Sequence, residues 1–240
     1  MERFLTNNQT RLWTISEGNG TATIFLNGGP GCDDYLGQVS AMIEDICEVV
    51  RFEPRGCGRS IWDKHYDLAT NIEDIEFIRK QYGFEQVLLV GHSWGPDLGL
   101  AYLLKYPGSV LGLIGLAGGR IVNDRDWHAA YRAGRDAEHA SSRLEFHADP
   151  EVNLIGNATY QEFIKQPSLL EDIVKISCPV TYIGAGNDIR PNWPARQLAA
   201  LIENGNYKEI PEASHYIWNT HAQELSEILR ATIREIVDQN

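Results

Sequence analysis

One serine of this chain stands in a sequence context that can make it a nucleophile. The apolar segment 87–90 runs into residues 91–95, Gly-His-Ser-Trp-Gly, and a helix-compatible segment, 96–106, follows at once. Such a strand–turn–helix arrangement exposes a serine hydroxyl on a sharp turn, and its glycines tolerate unusual backbone angles and a close helix. We therefore predict that Ser93 is a nucleophile. The alternative is a glycine-rich turn that happens to contain a serine.

A serine nucleophile needs a base, and the base needs a carboxylate to orient it. His215 follows the predicted strand 207–210, and Asp188 follows the predicted strand 179–184. Open α/β sheets place their functional sites just beyond the carboxyl ends of such strands. The chain order serine, aspartate, histidine is also the one expected for a nucleophile on this kind of turn. We predict His215 as the base and Asp188 as its orienting acid, with Glu212 as the alternative acid.

Other titratable groups fit these roles less well. His92 is too constrained beside Ser93 to face its hydroxyl, and Asp97 lies on the following helix, where a capping or core role is expected. The remaining histidines lie in a helix, in a polar insertion or in a segment with no preceding strand: His65, His128, His139, His147 and His221.

Acyl transfer also needs N–H donors for the developing oxyanion. The backbone N–H of Trp94, directly after the nucleophile, is one candidate. The loop 27–31, Asn-Gly-Gly-Pro-Gly, follows the predicted strand 21–26 and can turn a second amide toward a bound carbonyl. A tight turn before a helix is the alternative for this loop. No metal or other cofactor is expected, because no residue cluster has ligand spacing and no dinucleotide fingerprint is present.

Short apolar runs alternate with amphipathic segments along the chain. The predicted strands are 11–16, 21–26, 48–52, 87–91, 110–116, 179–184 and 207–210, with a hairpin turn at 17–20. The predicted helices are 33–46, 71–82, 96–106 and 217–237. This alternation predicts an α/β protein with a mostly parallel sheet covered by helices on both faces.

The alternation stops between residues 120 and 176, where the sequence is polar and contains helical pieces at 124–139 and 160–165. Apolar residues in this interval favour a folded lid over a disordered linker. They are Trp127, Tyr131, Leu144, Phe146, Leu154, Tyr160 and Phe163. We predict a core made of residues 1–119 and 177–240 and a small helical cap insertion, residues 120–176.

Composition limits the partners and the compartment. A chain of 240 residues with 43% hydrophobic residues can form one α/β domain, and its net charge of −12 argues against nucleic acid and anionic membrane surfaces. No run of 18 apolar residues predicts a membrane span, and the N-terminus lacks the apolar core of a signal peptide. The four cysteines are scattered. We expect a cytoplasmic protein with reduced thiols, whose oligomeric state is not indicated.

Three motifs together resemble those of one enzyme family. Residues 27–31 resemble an HGGPG loop, and residues 53–60, Glu-Pro-Arg-Gly-Cys-Gly-Arg-Ser, resemble a DQRGxGRS segment. Residues 91–95 are similar to a GGSWG elbow. The match covers most of the chain outside the insertion. The chain is identified as a member of the α/β-hydrolase superfamily that resembles the proline iminopeptidase branch, with a shortened cap.

The resemblance implies the α/β-hydrolase fold and a set of site residues. These are a triad of Ser93, Asp188 and His215, oxyanion amides of Gly29 and Trp94, and a supporting loop with Gly28 and Pro30. Asn27 departs from the family's histidine. In that branch, cap glutamates hold the substrate's amino terminus, but no motif selects among Glu138, Glu145, Glu151 and Glu162. Arg55 and Arg59 are expected to brace their loop.

The sequence thus predicts a cofactor-independent serine hydrolase that cleaves a small ester or amide through an acyl-enzyme. Its substrate would be a small molecule or a short peptide, since a cap restricts access. An aminopeptidase similar to the proline iminopeptidases and a carboxylesterase or lactonase are the two enzyme alternatives. A non-catalytic small-molecule receptor with the same fold is the alternative from another class.

Overall fold

The computed structural model of this chain describes residues 1–7, 10–141 and 146–239. Within them, eight strands form one sheet in the order β1-β2-β4-β3-β5-β6-β7-β8. Strands β3 to β8 run parallel to one another, and β1 and β2 are antiparallel to their neighbours. The strands are β1 Glu2–Asn7, β2 Thr10–Gly18, β3 Thr21–Leu26, β4 Cys47–Phe52, β5 Val87–His92, β6 Val110–Leu116, β7 Val180–Ala185 and β8 Gly205–Ile210.

Helices cover both faces of this sheet. They are α1 Gly37–Ser40, α2 Leu68–Gln81, α3 Gly95–Lys105, α4 Arg125–Ser141, α5 Pro150–Phe163, α6 Leu169–Ile173, α7 Trp193–Leu201 and α8 Ala222–Asp238. Alternate residues of β5 enter two separate cores: Leu89 packs with α2, α3 and α7, whereas Leu88 and Val90 pack with α1 and α8. This division follows from the two-residue period of a strand and explains the continuous apolar run.

The start of the sheet differs from the sequence expectations at two places. Strand β1 was not predicted, because residues 2–7 form a short, half-polar segment. Such a segment can nevertheless form a strand at the edge of a sheet. The segment 17–20 does not form a hairpin between paired strands, since β2 pairs with β1 and β4 while β3 lies between β4 and β5. The residues of β3 from Thr23 to Leu26 are buried, and such a strand is stable only inside the sheet.

Two helices are shorter than their apolar periodicity suggests. In the interval 33–46 only α1 is helical, and turns follow it. Leu36, Val39 and Ile43 are nevertheless buried in the core, so the periodicity records packing rather than a continuous helix. At the other end, a short 3₁₀ turn at Ile217–Asn219 precedes α8, which therefore begins at residue 222 instead of 217.

The described residues between β6 and β7 contain α4, α5 and α6 and no strand, apart from a single bridge between Cys32 and Ala148. Tyr160 is buried here, whereas Leu154 is 70% exposed and does not anchor the segment as expected. Leu144 lies outside the described residues. No helix in the described part of the chain is long and apolar enough to cross a membrane.

Candidate active site

Ser93 occupies the turn between β5 and α3 with φ of +60°, a left-handed conformation that is unusual for a residue with a side chain. Its backbone N–H donates to the carbonyl of Leu116 at 2.9 Å, which ties the turn to β6. A Cβ at Gly95 would lie 2.2 Å from the carbonyl oxygen of Leu26, so only glycine lets α3 approach β3 this closely. Strain held in this way is typical of functional turns.

His215 and Asp188 come from the loops after β8 and β7 and meet Ser93 at the carboxyl edge of the sheet. His215 Nε2 lies 3.0 Å from Ser93 Oγ, and His215 Nδ1 lies 2.6 Å from Asp188 Oδ2. The side chains of His215 and Asp188 are both buried, with 2% and 1% of their surface exposed. The structure therefore brings together all three residues of the predicted triad.

Arg190 holds the acid of this chain of hydrogen bonds. Its backbone N–H and its Nη1 donate to Asp188 Oδ1 at 2.9 and 3.0 Å, which leaves Oδ2 for His215. Burial alone would raise the pKa of Asp188, but the neighbouring His215 and Arg190 lower it to about 2. The same guanidinium binds Glu138 of α4 through two hydrogen bonds of 2.8 and 2.9 Å. Arg190 was not predicted from the sequence, because its spacing from Asp188 matches no motif.

A second series of hydrogen bonds, through Tyr35 and His92, connects the loops that form the site. His92 Nε2 lies 3.0 Å from the carbonyl oxygen of His215, so this nitrogen must donate and Nδ1 must accept. Tyr35 donates its hydroxyl to His92 Nδ1 at 2.7 Å and accepts the N–H of Gly28 at 2.8 Å. Burial lowers the pKa of His92, which keeps the imidazole neutral as this pattern requires. His92 thus faces away from the Ser93 hydroxyl, as its sequence position suggested, and joins the loop 27–31 to the loop of His215.

The N–H groups of Gly29 and Trp94 have no acceptor among the described residues. Gly29 has φ of +116°, an angle that glycine adopts without cost, and it lines the space beside Ser93. Pro30 supports the loop, since its carbonyl accepts an N–H from Asn153 of α5 at 2.8 Å. Asn27 is buried and donates to the carbonyl of Phe52 instead of facing the site.

Two cavities meet at Ser93, and Gly29, Tyr131, Asn153 and Arg190 contribute to both. The first, about 300 Å³, is named here the Trp127 cavity. Its walls include Asp97, Arg120, Trp127, Asn157, Gln161 and Pro194. The second, about 620 Å³, is named the Tyr216 cavity. Its walls include Cys32, Tyr35, Glu138, Phe146, His215 and Tyr216.

Polar residues of α5 line the Trp127 cavity and were not predicted from the sequence. Asn153, Asn157 and Gln161 recur every four residues, which places their side chains on one face of the helix. Amide side chains at this spacing predict a polar face of a helix, so the sequence contained a signal for this part of the site. Arg120 and Asp97 face the same space, although Asp97 was expected only to cap a helix or to serve the core.

The other candidates lie away from Ser93 or are already engaged. Among the cap glutamates, Glu151 and Glu162 are exposed outside both cavities, Glu138 binds Arg190, and Glu145 lies outside the described residues. Glu212 is exposed and lies outside the hydrogen bonds of His215, so it does not orient that residue. Arg55 binds Asp74 and Asp63, and Arg59 binds Glu53, as expected for residues that brace their loop.

One group of side chains in the described residues has the proximity of a metal site. Glu138, Asp188 and His215 each offer a ligand atom, all within 4.8 Å of one another. The Arg190 guanidinium binds both carboxylates, and His215 Nδ1 already faces Asp188. A metal ion here would meet that positive charge at close range, so this donor set does not fit a cation.

Comparison with known proteins places this geometry in context. A family model described as the alpha/beta hydrolase fold matches residues 22–138. The proline iminopeptidase of Saccharolobus solfataricus is 36% identical over 103 residues, which are 41% of this chain and 33% of that protein. The proline iminopeptidase of Neisseria meningitidis is 35% identical over 102 residues, 40% of this chain and 32% of that protein. The chain therefore spans about a third of the length of these curated relatives.

Solved structures match nearly the whole chain at low sequence identity. A bromoperoxidase from Bacillus anthracis superposes with a TM-score of 0.78 and 19% identity, covering 98% of this chain and 100% of that one. An esterase from Thermogutta terrifontis superposes with a TM-score of 0.79 and 16% identity, covering 98% and 99%. At this identity the likeness establishes the fold. The predicted fold class is confirmed.

Proposed function

From the premise that this chain has the α/β-hydrolase fold and resembles the proline iminopeptidase branch, we propose that it is a serine hydrolase. It cleaves a small ester or amide through an acyl-enzyme and needs no cofactor. One observation carries the proposal: the unbroken chain of hydrogen bonds from Asp188 through His215 to Ser93. Carboxylate, imidazole and hydroxyl in this order are what a serine needs in order to attack a carbonyl.

The proposed reaction has two steps. His215 Nε2 takes the Ser93 proton as Oγ bonds to the substrate carbonyl carbon, and Asp188 stabilises the imidazolium that forms. His215 then gives that proton to the leaving oxygen or nitrogen as its bond to carbon breaks, which leaves an ester on Ser93. A water molecule, deprotonated by the same imidazole, attacks this ester and releases the acid and free Ser93.

The free N–H groups of Gly29 and Trp94 supply the proposed oxyanion hole. Both amides stand beside Ser93, and neither has an acceptor in the described part of the chain, so a developing oxyanion can accept from both. Loss of one such donor typically costs about 3–4 kcal/mol of transition-state stabilisation. Gly28 and Pro30 hold the loop, because Gly28 donates to Tyr35 and Pro30 accepts from Asn153.

The residues near Ser93 favour ester hydrolysis. An aminopeptidase holds the ammonium group of its substrate with a carboxylate, and each carboxylate that lines the cavities already has a guanidinium neighbour. Asp188 binds Arg190, and Asp136 lies 3.4 Å from Nε of Arg135. Glu138 binds Arg190 through two hydrogen bonds, and Asp97 lies near Arg120. We therefore propose a carboxylesterase or a lactonase. Similarity to proline iminopeptidases over 103 and 102 residues keeps an aminopeptidase as the second candidate. A non-catalytic receptor is a third candidate, which the complete hydrogen-bond chain disfavours.

Two further parts of the proposal concern the cap and the cellular compartment. We propose that residues 120–176 cover the site as a helical cap on a core of residues 1–119 and 177–240. In support, α4 supplies Glu138 and α5 supplies Asn153 to the space above Ser93. Four free cysteines support a reducing, cytoplasmic environment.

The decisive experiment compares Ser93→Ala with the matched control Ser168→Ala, an exposed serine that lines neither cavity. We expect the first variant to lose hydrolysis of 4-nitrophenyl acetate and labelling by a fluorophosphonate, and the second to keep both. Turnover by folded Ser93→Ala at the wild-type rate would refute the nucleophile. Prolyl 4-nitroanilide, assayed beside the ester, decides between the two enzyme classes, since turnover of the anilide would favour the aminopeptidase. Absence of both labelling and turnover in the wild type would favour the receptor.

A further inference from the structure

The two cavities at Ser93 can be assigned to the two halves of a substrate, given the proposed function. His215 lines the Tyr216 cavity and is not part of the Trp127 cavity wall. Because His215 must protonate the leaving group and later activate water, both must occupy the Tyr216 cavity. The acyl group, which stays bonded to Ser93 in between, then occupies the Trp127 cavity.

Charged groups distinguish the Trp127 cavity. Asp188 and Arg190 are engaged with each other and with His215 and Glu138, so neither side chain is available to hold a substrate group. Arg120 differs, because its nearest carboxylate oxygen is Oδ2 of Asp97, 3.7 Å from its Nε and beyond hydrogen-bond distance. Its guanidinium is 4.1 Å from the centre of the Trp127 ring.

Arg120 therefore has one long ion pair, with Asp97, and its Nη donors make no hydrogen bond to the described residues. A guanidinium has five N–H donors and matches a carboxylate in shape and charge. We propose that the Trp127 cavity binds a short acyl group that ends in a carboxylate, and that Arg120 holds this carboxylate. Its volume, about 300 Å³, lies at the small end of the range for ligand pockets and suits a short chain.

Asp97 determines how strongly Arg120 favours an anion. Its Oδ1 accepts the backbone N–H of Arg120 at 2.8 Å, and it is 2% exposed. The titratable groups that face it are Arg120, Tyr160 and Tyr182. Burial raises its pKa to about 7 despite the charge of Arg120, so part of the Asp97 carboxyls are neutral near pH 7. Because Asp97 is partly neutral, it compensates the positive charge of the guanidinium only in part, which favours an anion over an ammonium group.

Three methyl esters of similar length test the proposal: monomethyl succinate, methyl pentanoate and methyl 4-aminobutanoate, which have an anionic, a neutral and a cationic acyl end. Methanol release gives kcat/KM for each. We expect the wild type to prefer the anionic ester to the neutral one by at least about tenfold and to disfavour the cationic one. His128, whose pKa burial lowers, also lines this cavity and is neutral above pH 7. The preference should therefore fall between pH 7 and pH 8, as Asp97 loses its proton and competes for Arg120. Taking the ratio of two esters removes the pH dependence of the triad itself.

Substitutions of Arg120 and Asp97 test whether these residues cause the charge preference. Arg120→Gln should lower the anionic-to-neutral ratio at least about tenfold, mainly through KM, and Arg120→Lys should restore part of it. Arg132→Gln removes an exposed charge from the same cap segment and should leave the ratio unchanged. Asp97→Asn keeps an acceptor for the Arg120 N–H, and should raise the ratio at pH 8 and abolish its pH dependence.

The outcomes separate this inference from the proposed function. Fluorophosphonate labelling of Ser93 tests the hydrolase alone. With labelling intact, equal kcat/KM values for the anionic and neutral esters, or a preference for the cationic ester, would overturn the acyl assignment. A charge preference that survives in folded Arg120→Gln would also overturn it. Without labelling and without turnover of any ester, the hydrolase proposal fails, and this inference fails with it.

Discussion

Replacement of Asp188 by asparagine tests whether Ser93, Asp188 and His215 form one proton relay. The two carboxylate oxygens have different partners: Oδ1 accepts two N–H groups of Arg190, and Oδ2 faces His215 Nδ1 at 2.6 Å. An asparagine must keep its carbonyl oxygen toward Arg190, because its NH₂ group there would oppose two donors. Its NH₂ group therefore points at His215 Nδ1.

This orientation traps the imidazole in the wrong tautomer. Nδ1 must then accept, so the proton of the neutral ring moves to Nε2, which can no longer accept the proton of Ser93. An equivalent change in a serine triad costs about 10⁴ in kcat. We expect kcat to fall by about 10³–10⁴, which is about 4–5.5 kcal/mol at 1.36 kcal/mol per factor of ten.

Initial rates with 4-nitrophenyl acetate measure the effect, and circular dichroism establishes that the variant is folded. The matched control is Asp172→Asn, which makes the same chemical change on a half-exposed side chain of α6. Its rate should equal that of the wild type. A folded Asp188→Asn variant with a rate within tenfold of the wild type would show that Asp188 does not set the tautomer of His215, and the relay would have to be abandoned.

Three further predictions concern stability. Folded Asp97 holds its proton up to a pKa of about 7 and the unfolded chain releases it near 3.8, so the free energy of unfolding should fall as pH rises between these values, by up to about 1.4 kcal/mol per pH unit. Because His92 contributes with the opposite sign below its usual pKa, the test is the difference between two proteins: between pH 5 and pH 7 the wild type should lose free energy of unfolding relative to Asp97→Asn with this slope. Gly95→Ala should destabilise the protein by more than about 2 kcal/mol, because its Cβ would lie 2.2 Å from the Leu26 carbonyl oxygen. The control Gly108→Ala places a Cβ where no atom lies within 4 Å, so it should shift the urea denaturation midpoint little. Equal midpoints for the two variants would contradict this prediction. Tyr35→Phe leaves Gly28 N–H and His92 Nδ1 without partners, so thermal denaturation should show a loss of about 1–3 kcal/mol per group, and an unchanged melting temperature would contradict the assigned tautomer.

Sequence reasoning worked best where a residue's place follows from local chain geometry. The apolar segment 87–90 had to be a buried strand, and the glycines after it allow the turn at Ser93. Asp188 and His215 could be chosen because each follows a strand, and parallel strands end at the same edge of a sheet. Short-range pattern and sheet direction together selected these three residues out of 240.

The same reasoning was misled where apolar spacing reflects packing. The interval 33–46 has helical periodicity, but only α1 is helical there, because Leu36 and Ile43 reach the core from turns. Strand β1 was not predicted because it has few apolar residues, and a strand at the edge of a sheet needs few. Its pairing with β2 depends on a neighbour rather than on its own sequence.

The sequence by itself determined the α/β architecture, the turn that holds Ser93 and the loops that supply its two partners, since each of these depends on residues close together in the chain. Only the tertiary structure decided the surroundings of those residues. The bond of Arg190 to Glu138 spans 52 residues, and that of His92 to His215 spans 123. Partners so far apart in sequence meet only when strand register and helix packing are set, and both depend on burial across the whole sheet.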